Sequence, residues 1–176
     1  MRMRRPVLAL LGLLVGTGAH ADVSLEYAVK AAYLPKFVPF ITWPETAFAG
    51  PNTPVTICVL GGDPFGGRLE QAAGELKSGD RTITVRYLPV PDASCQLIFL
   101  GKGDETSAAG TLDAVKGKPV VTVTDSGLKV HGVISFVIDA NHVRFDIDDA
   151  RAAQTGVVIS SKLLSLARAV KQRSQP

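Results

Sequence analysis

Short apolar runs alternate with helical patterns along most of the chain, and this alternation constrains the fold more than any other feature of the sequence. Residues 55–60 and 95–100 are apolar runs of strand length, and residues 81–88 alternate apolar and polar side chains as a half-exposed strand does. Helical patterns follow at residues 65–77 and 106–115. Strands and helices that take turns along a chain are typical of an α/β domain.

The second half of the chain adds a hairpin and a last helix. Residues 119–124 predict a further strand, and residues 132–138 and 142–147 predict two more that are joined by a turn. A final helix is expected after Ser160, with Leu163, Leu166, Ala167 and Val170 on its buried stripe. We therefore predict the α/β class: one domain with a mixed β-sheet of about six strands flanked by helices, and a C-terminal β-hairpin followed by a helix.

The N-terminal residues have the three parts of an export signal. Three arginines precede an apolar run at residues 6–18, and Ala19-His20-Ala21 supplies the small side chains that a signal peptidase accepts. The apolar run is shorter than the roughly 20 residues that a membrane-spanning helix needs. We predict a signal peptide at residues 1–21, a single α/β domain at residues 22–176, and a periplasmic location.

The first helix of that domain is expected to begin at Ser24, which can cap it. Pro35 and Pro39 are expected to kink or end this helix, because each removes a backbone donor.

Charge gives no indication of a nucleic-acid partner. The full chain has 19 Lys and Arg against 16 Asp and Glu, but Arg2, Arg4 and Arg5 lie in the predicted signal. The exported part is therefore neutral, which offers no support for binding to nucleic acid or to a membrane surface.

The two cysteines predict a disulfide. Cys58 and Cys95 form an even pair in a chain with an export signal. The bridge would close a loop of about 38 residues and stabilise the fold by up to about 4 kcal/mol in the chain-entropy model. Two buried thiols are the alternative.

The most glycine-rich stretch, residues 61–67, lies between a predicted strand and a predicted helix. Its spacing is close to that of a phosphate-binding loop, but Gly67 and Arg68 stand where such a loop requires Lys and Ser or Thr. We interpret the glycines as a tight strand-to-helix turn and predict that the turn binds no nucleotide.

No catalytic or metal-binding constellation is evident in the sequence. His131 and His142 have no ligand-type spacing, and the cysteines are not in a C-x-x-C pair. Ser160 is better explained as a helix cap than as a nucleophile, and the acidic run at residues 146–149 as the start of a helix. We therefore predict that the protein is not an enzyme and has no catalytic residue, cofactor or metal.

Three separated motifs give the chain a resemblance to a known family. In order, these are residues 26–34 (EYAVKAAYL) leading to Phe37 and Trp43-Pro44; residues 58–61 (CVLG) with 63–66 (DPFG); and residues 143–147 (VRFDI) leading to Gly156 and residues 159–164 (ISSKLL). Together they resemble the YfiR-like periplasmic proteins, over residues 24–170.

This resemblance implies a regulator. YfiR-like proteins are periplasmic repressors that bind the periplasmic part of an inner-membrane diguanylate cyclase and lower cyclic-di-GMP, which drives exopolysaccharide production and biofilm growth. The resemblance also implies an outer-membrane-associated protein that sequesters the repressor, and it leaves a homodimer open. The alternative function is a small-molecule sensing module whose ligand lies at the 61–67 turn and whose bound form is read by a membrane sensor.

We predict that the partner surface lies on the C-terminal segment. Its residues are Val157, Ile159, Ser160 and Leu164. Strand alternation should leave at least one of residues 157–159 pointing outward, and Leu164 lies about 100° from Leu163 around a helix, so the two cannot share one face. An exposed apolar cluster here would be a docking patch, although another helix could instead cover it.

Overall fold

The apolar run of residues 55–60 forms a strand inside a sheet and pairs with a parallel strand on each side. The computed structural model describes residues 24–103 and 105–174. The predicted signal peptide lies outside the described residues. The helices are α1 (Leu25–Phe37), α2 (Arg68–Gly74), α3 (Glu105–Ala114), α4 (Asp149–Ala153) and α5 (Ser161–Leu166). The strands are β1 (Ile41–Thr42), β2 (Val55–Leu60), β3 (Lys77–Ser78), β4 (Arg81–Leu88), β5 (Leu97–Leu100), β6 (Val121–Thr124), β7 (Ile134–Asp139), β8 (His142–Asp148), β9 (Val158–Ile159) and β10 (Ala169–Lys171).

The main sheet has eight strands in the order β10-β8-β7-β6-β5-β2-β4-β3. Its five central strands, from β7 to β4, are parallel to one another, whereas β8 runs antiparallel to β7 and β3 antiparallel to β4. The chain leaves β2 for β4 on one side and then returns to place β5 on the other side. The predicted mixed sheet flanked by helices is confirmed, and the short edge strands β3 and β10 account for its greater width.

Alternating side chains divide the core between the two faces of the sheet. Leu97 and Phe99 of β5 pack in the larger cluster, with α1 and α2, whereas Ile98 and Leu100 pack in the smaller cluster, with α3. Phe99 also contacts Phe136 of β7 in the larger cluster. Both faces of the parallel strands are covered, which explains why β2 is buried along its whole length.

The N-terminal helix is less interrupted than expected. Ser24 caps α1 by accepting a hydrogen bond from the backbone N–H of Tyr27, as predicted. Pro35 lies inside the helix, which continues to Phe37 and then tightens into a 3₁₀ turn at Val38–Phe40. Pro35 falls in the last turn of α1, so only a short helical stretch follows the missing donor.

The C-terminal helix is shorter than expected. Residues 161–166 form α5, but the chain then extends and pairs with β8 as β10. Of the predicted buried stripe, Leu163 is buried and Leu166 is 59% exposed. The prediction of one continuous helix was wrong here because the sheet edge supplies backbone partners that a helical pattern does not reveal.

Candidate functional site

The predicted docking segment is only partly available to a partner. Val157 and Ile159 are 1% and 3% exposed, so the structure contradicts the expectation that their side chains could meet another protein. Ile159 pairs with Ile41 of β1 and packs in the core, whereas Val158 points outward and is 49% exposed. Strand alternation therefore leaves one of residues 157–159 exposed, as expected, but that residue is Val158 and not Val157 or Ile159.

Ser160 and Leu164 have local structural roles. The Ser160 hydroxyl accepts a hydrogen bond from the backbone N–H of Leu163 at 3.3 Å and so caps α5. Leu164 is half-buried and packs against the core. The exposed apolar side chains of this segment are Val158 and Leu166. Whether the segment binds a partner stays a prediction.

The predicted disulfide is present. Cys58 of β2 and Cys95, just before β5, are bonded, with their Cα atoms 5.8 Å apart. The bond lies in the smaller core cluster with both residues at most 1% exposed. Such burial gives the bond a structural place in the core and keeps it away from solvent thiols.

The glycine-rich stretch forms a tight turn, as predicted. Gly61 and Gly62 have φ values of 91° and 97°, a conformation that glycine alone adopts readily. The Asp63 carboxylate accepts hydrogen bonds from the backbone N–H groups of Phe65 and Gly66 at 2.8 and 3.1 Å. The turn therefore consumes three residues more than expected before α2 begins at Arg68.

A cleft opens beside this turn, where the parallel strands end. We call it the carboxyl-edge cleft; its volume is about 280 Å³. It is lined by Tyr27 from α1, by Leu60, Gly61, Gly62, Asp63 and Pro64 after β2, and by Gly101 and Lys102 after β5. Lys102 comes from a different loop than the turn itself. The cleft therefore has a lysine in its lining, although the turn lacks the lysine that a phosphate-binding loop requires.

A buried group of charged and polar side chains lies next to the cleft. This charge cluster consists of Glu26, Tyr27 and Lys30 of α1 with Asp125 and Ser126 after β6. The Lys30 ammonium is fully buried and donates to the carboxylates of Glu26 and Asp125 and to the Ser126 hydroxyl. The Tyr27 hydroxyl donates to Asp125 at 2.6 Å.

The cluster shifts the titration of its members. Burial alone would raise the pKa of Asp125, but hydrogen bonds from Lys30 and Tyr27 and the Lys30 charge outweigh it and hold that pKa below its usual value. The hydrogen bond from Lys30 likewise lowers the pKa of Glu26. Burial and the neighbouring Asp125 raise the pKa of Tyr27. At neutral pH Glu26 and Asp125 are therefore carboxylates and Tyr27 is a neutral phenol.

Sequence reasoning did not assemble the cluster. A glutamate and a lysine four residues apart in a mostly apolar helix, and an aspartate directly after a strand, are its signals in the sequence. The lysine and the aspartate are 95 positions apart, and only the docking of α1 across the sheet brings them together. The arrangement fixes α1 against the carboxyl edge, because a buried ammonium must keep its partners.

Residues 24–103 and 105–174 have neither a cluster of metal-ligand side chains nor a membrane-spanning helix. They contain no group of three or more His, Cys, Asp or Glu side chains arranged to hold a metal ion. In that same part of the chain, no helix combines the length and apolarity required to cross a membrane.

A family model matches most of the chain. This family model, described as YfiR/HmsC-like, matches residues 27–168, and no curated protein matches the chain. The match begins at Tyr27 in the charge cluster and ends at Arg168, whose guanidinium binds Asp146 of β8. It therefore includes the glycine turn, both cysteines and the C-terminal segment, and the chain belongs to the YfiR/HmsC-like family of periplasmic, non-catalytic regulators in cyclic-di-GMP signalling.

Proposed function

We propose that the protein is a periplasmic repressor that binds the periplasmic part of an inner-membrane diguanylate cyclase and holds down cyclic-di-GMP synthesis. Membership of the YfiR/HmsC-like family over residues 27–168 is the observation that carries the proposal. The export signal predicted at residues 1–21 supports it, since the repressor must reach the compartment where that part of the cyclase lies. An outer-membrane-associated protein would relieve repression by sequestering the repressor.

The partner surface that we propose is the exposed side of the C-terminal segment, residues 157–166. Val158 and Leu166 are 49% and 59% exposed. Large apolar side chains at that exposure add affinity when a partner covers them. Val157 and Ile159 support the surface from below, since both belong to the core.

The test uses substitutions that change the surface without touching the core. Val158→Asp and Leu166→Asp should each relieve repression in a strain that carries the variant in place of the native gene. Cellular cyclic-di-GMP should rise towards the level of a strain from which the gene is deleted. The purified variants should also lose binding to the periplasmic part of the cyclase in a pull-down assay.

Val90→Asp is the matched control, because Val90 is an exposed apolar residue outside the segment, in the loop after β4. This variant should keep cyclic-di-GMP at the repressed level. If deletion of the gene leaves cyclic-di-GMP unchanged, the repressor function is wrong. If deletion raises it but both segment variants still repress while folded, the function stands and the surface is elsewhere.

A further inference from the structure

The strand order identifies a second place where the molecule can bind. Counted along the chain, the five parallel strands lie in the order second, first, third, fourth, fifth, with β2 as the first and β4 as the second. The chain therefore reverses direction across the sheet between β2 and β5. In open parallel α/β sheets, ligands bind outside the carboxyl ends of the strands at such a switch point.

The carboxyl-edge cleft lies at this switch point. Its lining comes from the two loops that diverge there, after β2 and after β5, and from α1, which crosses above them. A Cβ atom added to Gly61 or Gly62 would meet no atom within 4 Å, so the backbone of both residues faces open space. The cleft volume of about 280 Å³ is just below the roughly 300 Å³ at which the range for drug-sized ligand sites begins, so the cleft suits a smaller molecule.

One wall of the cleft is fixed in advance. The Tyr27 hydroxyl is anchored to Asp125, its ring lies edge-on to Phe65 with centroids 5.9 Å apart, and the Lys30 ammonium lies 4.9 Å from the ring centroid. These contacts come from the core side of the ring. A wall that needs no rearrangement lowers the entropic cost of binding.

The charges around the cleft indicate what kind of molecule it takes. Lys102 and Asp63 are the two charged side chains that line it, and neither forms an ion pair with another described residue. They stand on different loops, after β5 and β2. Together with the hydrogen bond from Lys30, the Lys102 charge also lowers the pKa of Glu26 in the charge cluster. One Asp63 carboxylate oxygen accepts both turn hydrogen bonds. The carboxylate also lies near the Tyr87 phenol, whose pKa is raised by burial and by the neighbouring Glu70 and Asp63.

We propose that the carboxyl-edge cleft binds a small dipolar molecule with one anionic and one cationic group. Lys102 receives the anionic group, Asp63 receives the cationic group, and the carbon skeleton lies against Tyr27 and the glycine backbone. Charge-assisted hydrogen bonds at both ends would fix the orientation of the molecule.

A simple anion fits this site less well. Among the described residues, the cleft lining and the charge cluster together hold three carboxylates and two ammonium groups, a net charge of −1. A ligand that carries only a negative charge would be repelled by this excess. The same balance supports the prediction that nucleotides do not bind here. This proposal goes beyond the repressor function and does not depend on it, because it is tested on the purified protein without a partner.

The experiment follows backbone amide signals of Gly61, Gly62 and Gly101 in ¹H–¹⁵N spectra during titration. The probes are glycine, β-alanine, 4-aminobutyrate and 6-aminohexanoate, which space the same two charged groups at increasing distances. We expect saturable shifts at the three glycines with at least one probe. Butyrate and butylamine, which each lack one of the charges of 4-aminobutyrate, should bind at least about tenfold more weakly than the best dipolar probe.

Variants assign the two charged ends. Lys102→Gln and Asp63→Asn should each weaken binding about tenfold or more, and Asn can still accept the two turn hydrogen bonds. Lys102→Arg should retain binding, and Lys77→Gln, which changes an exposed lysine on β3, should not alter it. The proposal is overturned if no dipolar probe gives saturable shifts, if butyrate binds as tightly as the best of them, or if both charge-removing variants bind like the native protein.

Discussion

At the scale of single residues, the buried Lys30 ammonium is the least expected feature of the molecule. An ammonium loses its hydration on burial, and that loss is costly unless partners replace the water. Glu26, Asp125 and Ser126 replace it, and the Phe136 ring lies 5.8 Å from the ammonium on the core side. Removing one partner is therefore more disruptive than the net contribution of the pair suggests.

The lowered pKa of Asp125 makes this contact sensitive to acid. A carboxyl whose pKa is lower in the folded state stabilises the fold above its unfolded value of about 3.9, and this contribution is lost as pH falls through the folded value. Asp125→Asn should lower the free energy of unfolding by about 3–5 kcal/mol at neutral pH. The difference from the native protein should shrink below about pH 4.

Urea unfolding at several pH values measures this difference. Asp113→Asn, at an exposed position on α3, is the control and should match the native protein throughout. An Asp125→Asn deficit that stays constant down to the acid limit of folding would show that the lost contact does not involve the carboxylate charge.

At the scale of elements, ion pairs hold the C-terminal strand β10 to the sheet edge. Arg168 binds Asp146 through two hydrogen bonds, and Lys171 binds Asp148 at 3.2 Å. Hydrogen bonds from Arg168 lower the pKa of Asp146. Both pairs are largely exposed and contribute little on their own. A strand of three residues with little apolar burial therefore depends on its backbone pairing with β8 and on the contact that Arg173 makes just after it.

Arg173 makes the most consequential of these contacts. Its guanidinium donates two hydrogen bonds, of 2.6 and 2.7 Å, to the carboxylate of Asp149, whose side chain is 3% exposed. Arg173→Met leaves that buried carboxylate without its cation and should reduce the free energy of unfolding by about 2 kcal/mol. Amide hydrogen exchange in β10 should accelerate in the same variant.

Lys171→Met is the matched control, because the Lys171 side chain is 73% exposed. An exposed ion pair contributes little, so this variant should stay within about 0.5 kcal/mol of the native protein. Equal losses in both variants would mean that burial of Asp149 does not determine the strength of the contact.

At the scale of the whole molecule, the two core clusters depend on the sheet between them. The disulfide joins β2 to the chain just before the neighbouring strand β5, within the smaller cluster, and links positions 37 residues apart. It therefore restricts the unfolded chain more than it adds contact in the folded one.

Reduction of the disulfide should consequently require unfolding. Both cysteines are buried, so dithiothreitol should reduce the native protein slowly and the urea-unfolded protein rapidly, as measured by thiol alkylation and mass spectrometry. The reduced protein should unfold with a free energy up to about 4 kcal/mol lower. A variant with both cysteines changed to Ala should be indifferent to the reductant. Fast reduction under native conditions would instead indicate an accessible bond.

Local patterns were enough to predict most elements of this fold. The apolar run of β2, the alternation of β4 and the cap at Ser24 all follow from neighbouring residues, and the structure confirms each of them. The disulfide also followed from the number of cysteines and the predicted export signal. These features depend on short stretches of chain, where periodicity and capping chemistry act directly.

Pairing between distant strands decided where the elements end and which side chains are exposed. Pairing with β1 buried Ile159 and turned Val158 outward, and pairing with β8 converted the end of the predicted last helix into β10. The contact between Lys30 and Asp125 and the position of Lys102 beside the glycine turn arise from strand order. The sequence by itself thus determined the family and most of the helices and longer strands. Only the tertiary structure decided which side chains meet, because contacts between residues far apart in the chain depend on how the sheet is assembled.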